Sequence, residues 1–305
     1  MDGFHNRNWS TGTVTGYRAV ISTTLKTVGR TTIGSDVDLG NLIMNFRHER
    51  PLSLKVIPQW DLGYVLWCLT SSPFEPMTTA DLKLVTWKTL FLILLASGAR
   101  RSEIHAISWD RFEHSEHWSR ATLHPIPEFV YKTQVTRAQV KKPKVIDIPA
   151  LQPRLDSLRA EGVLNTHEER ALCPTRALKC YRARTRDLRP ADAQTMFISF
   201  DSKRHHNKAI HQNTISAWFK KLVEFCYSLD RTNLPRTVQA HIHEMRGLAT
   251  TIAFENCVAI EDIVQAGSWS SPLSFMRFYL KDFTITPAGR NKIGTIVAAQ
   301  SVVMS

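Results

Sequence analysis

The stretch LKLVTWKTLFLILLA, residues 82 to 96, constrains the fold of this 305-residue chain more than any other. It is apolar around nearly the whole circumference of a helix, so it belongs either in the middle of a core or in a membrane. A membrane span needs about 20 apolar residues in a row, and here Lys83 and Lys88 interrupt a shorter run. The stretch therefore reads as a buried helix, with Thr78 or Thr79 as its N-cap and Gly98 as its stop.

Other elements must cover that helix. DLGYVLWCLTS, from Asp61, reads as a helix ended by SSPFEPM. SGARRSEIHAISWDRF restarts a helix near Ser102, with Ile104 and Ile107 inward. Between Thr122 and Pro149 the apolar residues alternate, in ATLHPIPEFVYKTQV and PKVIDIPAL, with TRAQVKK between them. That pattern predicts a small antiparallel sheet with a basic turn. Helices return at Leu151 to Arg159 and Pro174 to Arg184, and MFISF reads as a brief strand. From Thr214 to Ser228 an amphipathic helix places Ile215, Trp218, Phe219, Leu222 and Phe225 on one face. Residues 1–50 are thinly apolar, with helical spacing at Val14, Tyr17, Val20, Ile21 and Leu25, capped by Ser10 or Thr11. A second helix is expected at Leu39 to Phe46, after Ser35 and Asp36, and ERPLSLKVIPQW then reads as a linker. The expected fold is mainly α with a small antiparallel β-sheet (α+β), arranged as a partial helical region at 1–50 and a main domain at 57–305.

Charge narrows the partners. A formal net charge of +12 favours a polyanion, most simply nucleic acid. The 5 cysteines are irregularly spaced and suggest neither a disulfide framework nor a CxxC zinc site; His205 and His206 read as surface histidines. The opening MDGFHNRNWSTG lacks the layout of a signal peptide. The expected setting is intracellular.

Three segments carry reactive side chains. In SGARRSE, Arg100 and Arg101 follow the apolar helix, one facing inward and one outward, with Glu103 as a capping acid. In HIHEMRGLATTIAF, His243 and Arg246 share a helix face, while Met245, Leu248, Ala249 and Ile252 fill the buried side. An arginine fork matches phosphate oxygens. In GSWSSPLSFMRFYLKDF, Tyr279 lies beside Phe275, Phe278 and Leu280. A phenol of pKa about 10 needs a base or a cationic field to act as a nucleophile. Taken singly, each segment has a bland reading: a solvated helix start, a core-edge histidine with a surface arginine, a core aromatic.

Their order is what distinguishes them: apolar helix, GARRSE, a hairpin with lysine, HxxR, Trp, Tyr. In this the chain resembles the tyrosine recombinase/integrase family over about residues 57 to 285. GARRSE matches the family's G-x-R-x-S-E box, HEMRGLATT matches H-x-L-R-H-T-x-A-T in part, and AGSWSSPLSFMRFY matches the Gly-His/Trp to Tyr segment. KTLFLILLASGARRSE, LCPTRAL and GSW…FMRFYL look most like DIRS-type retrotransposon recombinases.

The resemblance implies that Arg100 and Arg246 clamp the scissile phosphate, braced by Glu103. His243 hydrogen-bonds the phosphate or moves a proton, and Trp269 occupies the family's His/Trp position. Tyr279 attacks phosphorus and forms a 3′-phosphotyrosine. Lys132 protonates the 5′-oxygen, with Lys141, Lys142 and Lys144 as alternatives or phosphate contacts. No metal or other cofactor is implied, because arginines take the electrostatic role. Lys203, Arg204, Lys208, Lys220, Lys221 and Arg277 are further candidates for DNA-backbone contact. The implied partner is double-stranded DNA, with self-association from dimer to tetramer upon it, no membrane, and a nuclear location in a eukaryote. The chain departs from the pattern at Ser268, which separates Gly267 from Trp269, and at Gly247, where His or Lys is usual. Residues 1–50 resemble only the latter part of the family's core-binding domain, as in a fragment of a longer protein or a decayed element. Two other readings share the fold or the chemistry: an inactive or domesticated DNA-binding protein, and a relaxing enzyme of the type IB topoisomerase kind.

Overall fold

A computed structural model describes residues 11–27, 36–49, 58, 60–131, 145–151, 170–200, 208–229, 238–267, 269, 272, 275, 276 and 279. The chain divides into two compact units, Met1–Val56 and Ile57–Ser305. In the first, α1 (Thr11–Thr27) packs on α2 (Val37–Glu49). The Asp36 carboxylate accepts from the Leu39 backbone N–H at 2.9 Å and starts α2 as its sequence suggests. Tyr17, Val20 and Ile21 remain exposed on α1.

The second unit contains α3 (Leu62–Leu69), α4 (Leu82–Ser97), α5 (Arg101–His105), β1 (Ile107–His114), β2 (Arg120–Pro125) and β3 (Ile146–Pro149). It continues with α6 (Pro174–Thr185), a 3-10 turn (Arg186–Leu188), α7 (Gln212–Leu229), α8 (Ile242–Glu255) and α9 (Ile260–Gly267). α4 is its axis, buried without a break from Leu84 to Leu95. α6, α7, α8 and β3 pack around it, which is why its sequence shows no polar face. Phe91 of α4 stacks on Phe219 of α7 with centroids 5.9 Å apart, and Trp60 meets both rings edge-on.

The N-cap of α4 is Asp81, not Thr78 or Thr79. Its carboxylate accepts from the Lys83 N–H at 2.7 Å, while the Thr79 hydroxyl is engaged in the preceding turn by the Pro76 carbonyl. An ionised carboxylate is the stronger cap beside the positive end of a helix dipole. Gly98 closes α4 at φ +56°, donating to the Leu94 carbonyl.

Lys88 lies fully buried on α4. Its ammonium donates to the Leu69 carbonyl and to Glu75 Oε1, both at 2.6 Å. Glu75 also receives a two-pronged contact from Arg176 of α6, at 2.7 and 2.9 Å. Burial pushes the Lys88 ammonium down to about 8, against the pull of Glu75. Burial alone would raise the Glu75 carboxyl, but the Arg176 hydrogen bonds and the Lys88 charge bring it down to about 2.

The sheet has three antiparallel strands in the order β1-β2-β3. Its first strand corrects the sequence reading, which ran a helix through Ile107. α5 stops after five residues, and Ile107 instead begins β1. An irregularity in register between Ile107 and Phe112 breaks the alternation that marks a strand, so SWDRF showed no period of two. MFISF is likewise not a full strand; Thr195 and Ile198 make isolated bridges to Ser108 and Ala209. The expected helix after Leu151 and the basic hairpin turn lie outside the described residues. No described helix is long and apolar enough to cross a membrane.

Candidate active site

Between the Gly98 stop and α5, Arg100 occupies the N-cap position. Its backbone N–H donates to Glu103 Oε2 at 3.1 Å and its Nη1 to Glu103 Oε1 at 3.0 Å. Glu103 is buried, so the same carboxylate both caps α5 and holds the Arg100 guanidinium. Arg101 turns elsewhere, donating to Ser216 Oγ on α7 at 3.2 Å.

Arg246 projects from the buried face of α8 and is only 3% exposed. Its Nη1 donates to the Gly98 carbonyl at 3.1 Å and its Nη2 to the Gly267 carbonyl. Those carbonyls end α4 and α9, where helix dipoles are negative. One guanidinium therefore ties three helices together. Burial lowers Arg246 to about 10, and repulsion from Arg100 adds to this; Glu103 and the Tyr279 hydroxyl act the other way. Arg246 remains cationic at neutral pH.

Beyond α9, the Trp269 N–H returns to the Val264 carbonyl at 3.1 Å. The indole then lies with Arg246 Cζ 4.3 Å from its ring centroid. The Tyr279 ring is 5.3 Å from the same carbon and 4.7 Å from the indole. Thr251 of α8 donates to the Tyr279 carbonyl at 3.3 Å, and Phe275 packs against Trp269 and Phe254. Arg100, Glu103, Arg246, Trp269 and Tyr279 thus converge from segments far apart in sequence. Two N–H donors in this cluster, Arg246 Nε and Trp269 Nε1, are buried with no hydrogen-bond partner among the described residues.

His243 lies in the first turn of α8, exposed. Lys208, Lys220 and Lys221 are exposed, with Lys220 at 3.6 Å from Glu224. Lys132, Lys141, Lys142, Lys144, Lys203, Arg204 and Arg277 lie outside the described residues. Tyr131, just before Lys132, is buried and shares a small cavity with Glu103, Ile107, Leu123, Pro125 and Ile146. Among the described residues, no group of His, Cys, Asp and Glu side chains is placed to hold a metal ion.

The sequence reading missed the two carbonyls that hold Arg246. Every residue carries a carbonyl, so nothing in the letters marks those of Gly98 and Gly267. Gly267 does leave a trace, as a glycine two residues before a tryptophan. A Cβ there would collide with the Trp269 ring. Gly267→Ala must push the indole off Arg246 and is expected to lose about 1–3 kcal/mol of stability in urea unfolding. Gly40→Ala on α2, with open space around it, is expected to show no such loss. Equal behaviour of the two variants would contradict this packing.

No protein-family model matches the chain, and no curated protein matches its sequence. Among solved structures, it is similar to the XerH site-specific recombinase bound to difH substrate (12% identity, 72% of this chain and 48% of that one, TM-score 0.45). It is also similar to XerA recombinase (13% identity, 93% and 83%, TM-score 0.46). A third likeness is to the Tn1549 transposon integrase in complex with circular intermediate DNA (13% identity, 92% and 78%, TM-score 0.49). The match covers about half the length of the XerH chain.

Proposed function

We propose that this chain cuts and rejoins double-stranded DNA through a covalent 3′-phosphotyrosine, as the tyrosine recombinases that its motifs resemble do. The observation that carries the reading is the pair of buried donors with no acceptor among the described residues, Arg246 Nε and Trp269 Nε1, beside Arg100 and Tyr279. A buried donor left unpaired costs about 1–3 kcal/mol. A phosphate oxygen satisfies such donors and brings a negative charge to a site that already holds two arginines.

In this reading the Trp269–Tyr279 pair lifts from the Arg246 face to admit the phosphodiester. Arg100 and Arg246 neutralise the charge that builds on its non-bridging oxygens. The Tyr279 oxygen bonds to phosphorus while the bond to the 5′-oxygen breaks. The phenol proton passes to a base, the role assigned to His243. The departing 5′-oxygen takes a proton from the hairpin lysine, Lys132 by the motif. Rejoining reverses these steps, so the phosphodiester energy stays in the protein–DNA link. Self-association on DNA and kinship with DIRS-type elements belong to the same proposal.

The test is a panel of nicked suicide duplexes, from which the cleaved fragment diffuses away and traps the adduct on a denaturing gel. Wild type is expected to form the adduct and Tyr279→Phe to form none. An adduct that persists in the Phe variant would sink the assignment of Tyr279. A second reading, a DNA-binding protein with an inactive site, draws on the way Trp269 and Tyr279 cover Arg246. DNA binding without any adduct across the panel would establish it.

A further inference from the structure

We infer that Trp60 is a positioning residue for Arg246, acting through Glu244; the inference rests on the strand-cleavage reading above. Trp60 Nε1 donates to Glu244 Oε2 at 2.8 Å, linking residues 184 apart in sequence. The same oxygen accepts the His241 N–H at 2.9 Å. Glu244 is the third residue of α8, next to His243 and two before Arg246.

Two features separate this bond from an ordinary helix cap. The cap needs only Glu244 and the His241 backbone, which lie within one helix end and fix nothing about where α8 sits. The Trp60 bond is external to α8. Its donor is also held rigidly, since the indole is 5% exposed and meets Phe91 of α4 and Phe219 of α7 edge-on at 6.2 and 5.7 Å. The next residue, Asp61, is pinned as well: its N–H donates to the Tyr227 hydroxyl of α7 at 2.7 Å. The indole N–H thus refers the first turn of α8 to the α4–α7 core.

Arg246 depends on that reference. Its Nη1 reaches the Gly98 carbonyl, at the end of the same α4, at 3.1 Å. A slide of α8 along α4 by about an ångström takes that bond beyond hydrogen-bond length. Misplacements of this size far from the reacting atoms cost rate more than affinity.

Trp60→Phe removes the N–H and, because phenyl is smaller than indole, part of the ring packing on Phe91 and Phe219. Measured at a temperature where the variant stays fully folded, the single-turnover rate of adduct formation is expected to fall about tenfold at saturating DNA, with the DNA dissociation constant nearly unchanged. Glu244→Gln, which keeps an acceptor for the indole, is expected to recover most of the rate that Glu244→Ala loses. Adding Trp60→Phe to Glu244→Ala should slow it no further, because both act through one bond. A wild-type rate in Trp60→Phe, or a loss confined to stability and DNA binding, overturns the inference alone. Failure of the wild-type protein to form any adduct overturns the strand-cleavage reading, and this inference with it.

Discussion

Arg246→Lys is expected to slow covalent adduct formation by at least about 10³-fold while leaving the protein folded. The reason is geometric. Arg246 divides its terminal nitrogens between the carbonyls of Gly98 and Gly267, and its buried Nε has no acceptor among the described residues. A lysine has one nitrogen at the end of a flexible chain and cannot span two helix ends while presenting a further donor. The ammonium will settle on one carbonyl, leave the other unpaired, and lose its place over Trp269. Single-turnover cleavage of a suicide duplex measures the rate, and urea unfolding checks the fold, where a loss of about 1–3 kcal/mol is expected from the unpaired carbonyl. Cleavage within tenfold of wild type would show that Arg246 is a structural tie rather than part of the chemistry.

The second large effect is on stability and lies away from the site. Glu75→Gln leaves the Lys88 ammonium buried without its counter-charge and weakens the two-pronged hold of Arg176. Removing one partner of a buried ion pair costs about 3–5 kcal/mol, so about 3 kcal/mol is expected near neutral pH in urea unfolding. The pH dependence identifies the cause. Glu75 is depressed in the folded chain from 4.5 to about 2. Its contribution is therefore present above 4.5 and is lost as the pH falls from 4.5 toward 2. The Gln variant lacks that acid-sensitive part, so its deficit should shrink across this window.

The basic side adds a second signature. Lys88 is held at about 8 in the folded chain and titrates at 10.5 when unfolded. Without Glu75 its folded value drops further. The variant then gains stability between pH 7 and 8, where the wild type with its value of about 8 gains little, and the gap narrows. A deficit that stays constant from acid to base would rule out this triad as its source.

The central helix was legible because a run that is apolar on all sides has few places to go. Gly98 was legible as its stop, and α7 as a one-faced helix, for equally local reasons. Local signals also misled. Thr78 and Thr79 are good caps by residue type, but Asp81 stands closer and carries a charge. β1 was read as helix because its register irregularity hides the alternation. Glu75 sits in a turn, SSPFEPM, where nothing marks it as the partner of a lysine on the next helix. Trp60 and Glu244 were invisible as a pair, since a hydrogen bond across 184 residues leaves no pattern in either neighbourhood.

By itself, the sequence determined the mainly helical class and the buried helix at residues 82–96, while its resemblance to the tyrosine recombinases marked Arg100, His243, Arg246, Trp269 and Tyr279 as candidates. The class and the buried helix depend on composition and spacing, which act locally along the chain. Only the tertiary structure decided which candidates share a site and how Arg246 is held. It placed Arg246 between two helix C-termini, put Trp269 and Tyr279 over its face, gave Glu103 both the cap and the arginine, and buried two donors that have no acceptor among the described residues. Backbone carbonyls and long-range hydrogen bonds have no letter in the sequence; they exist only once α4, α8 and α9 have packed.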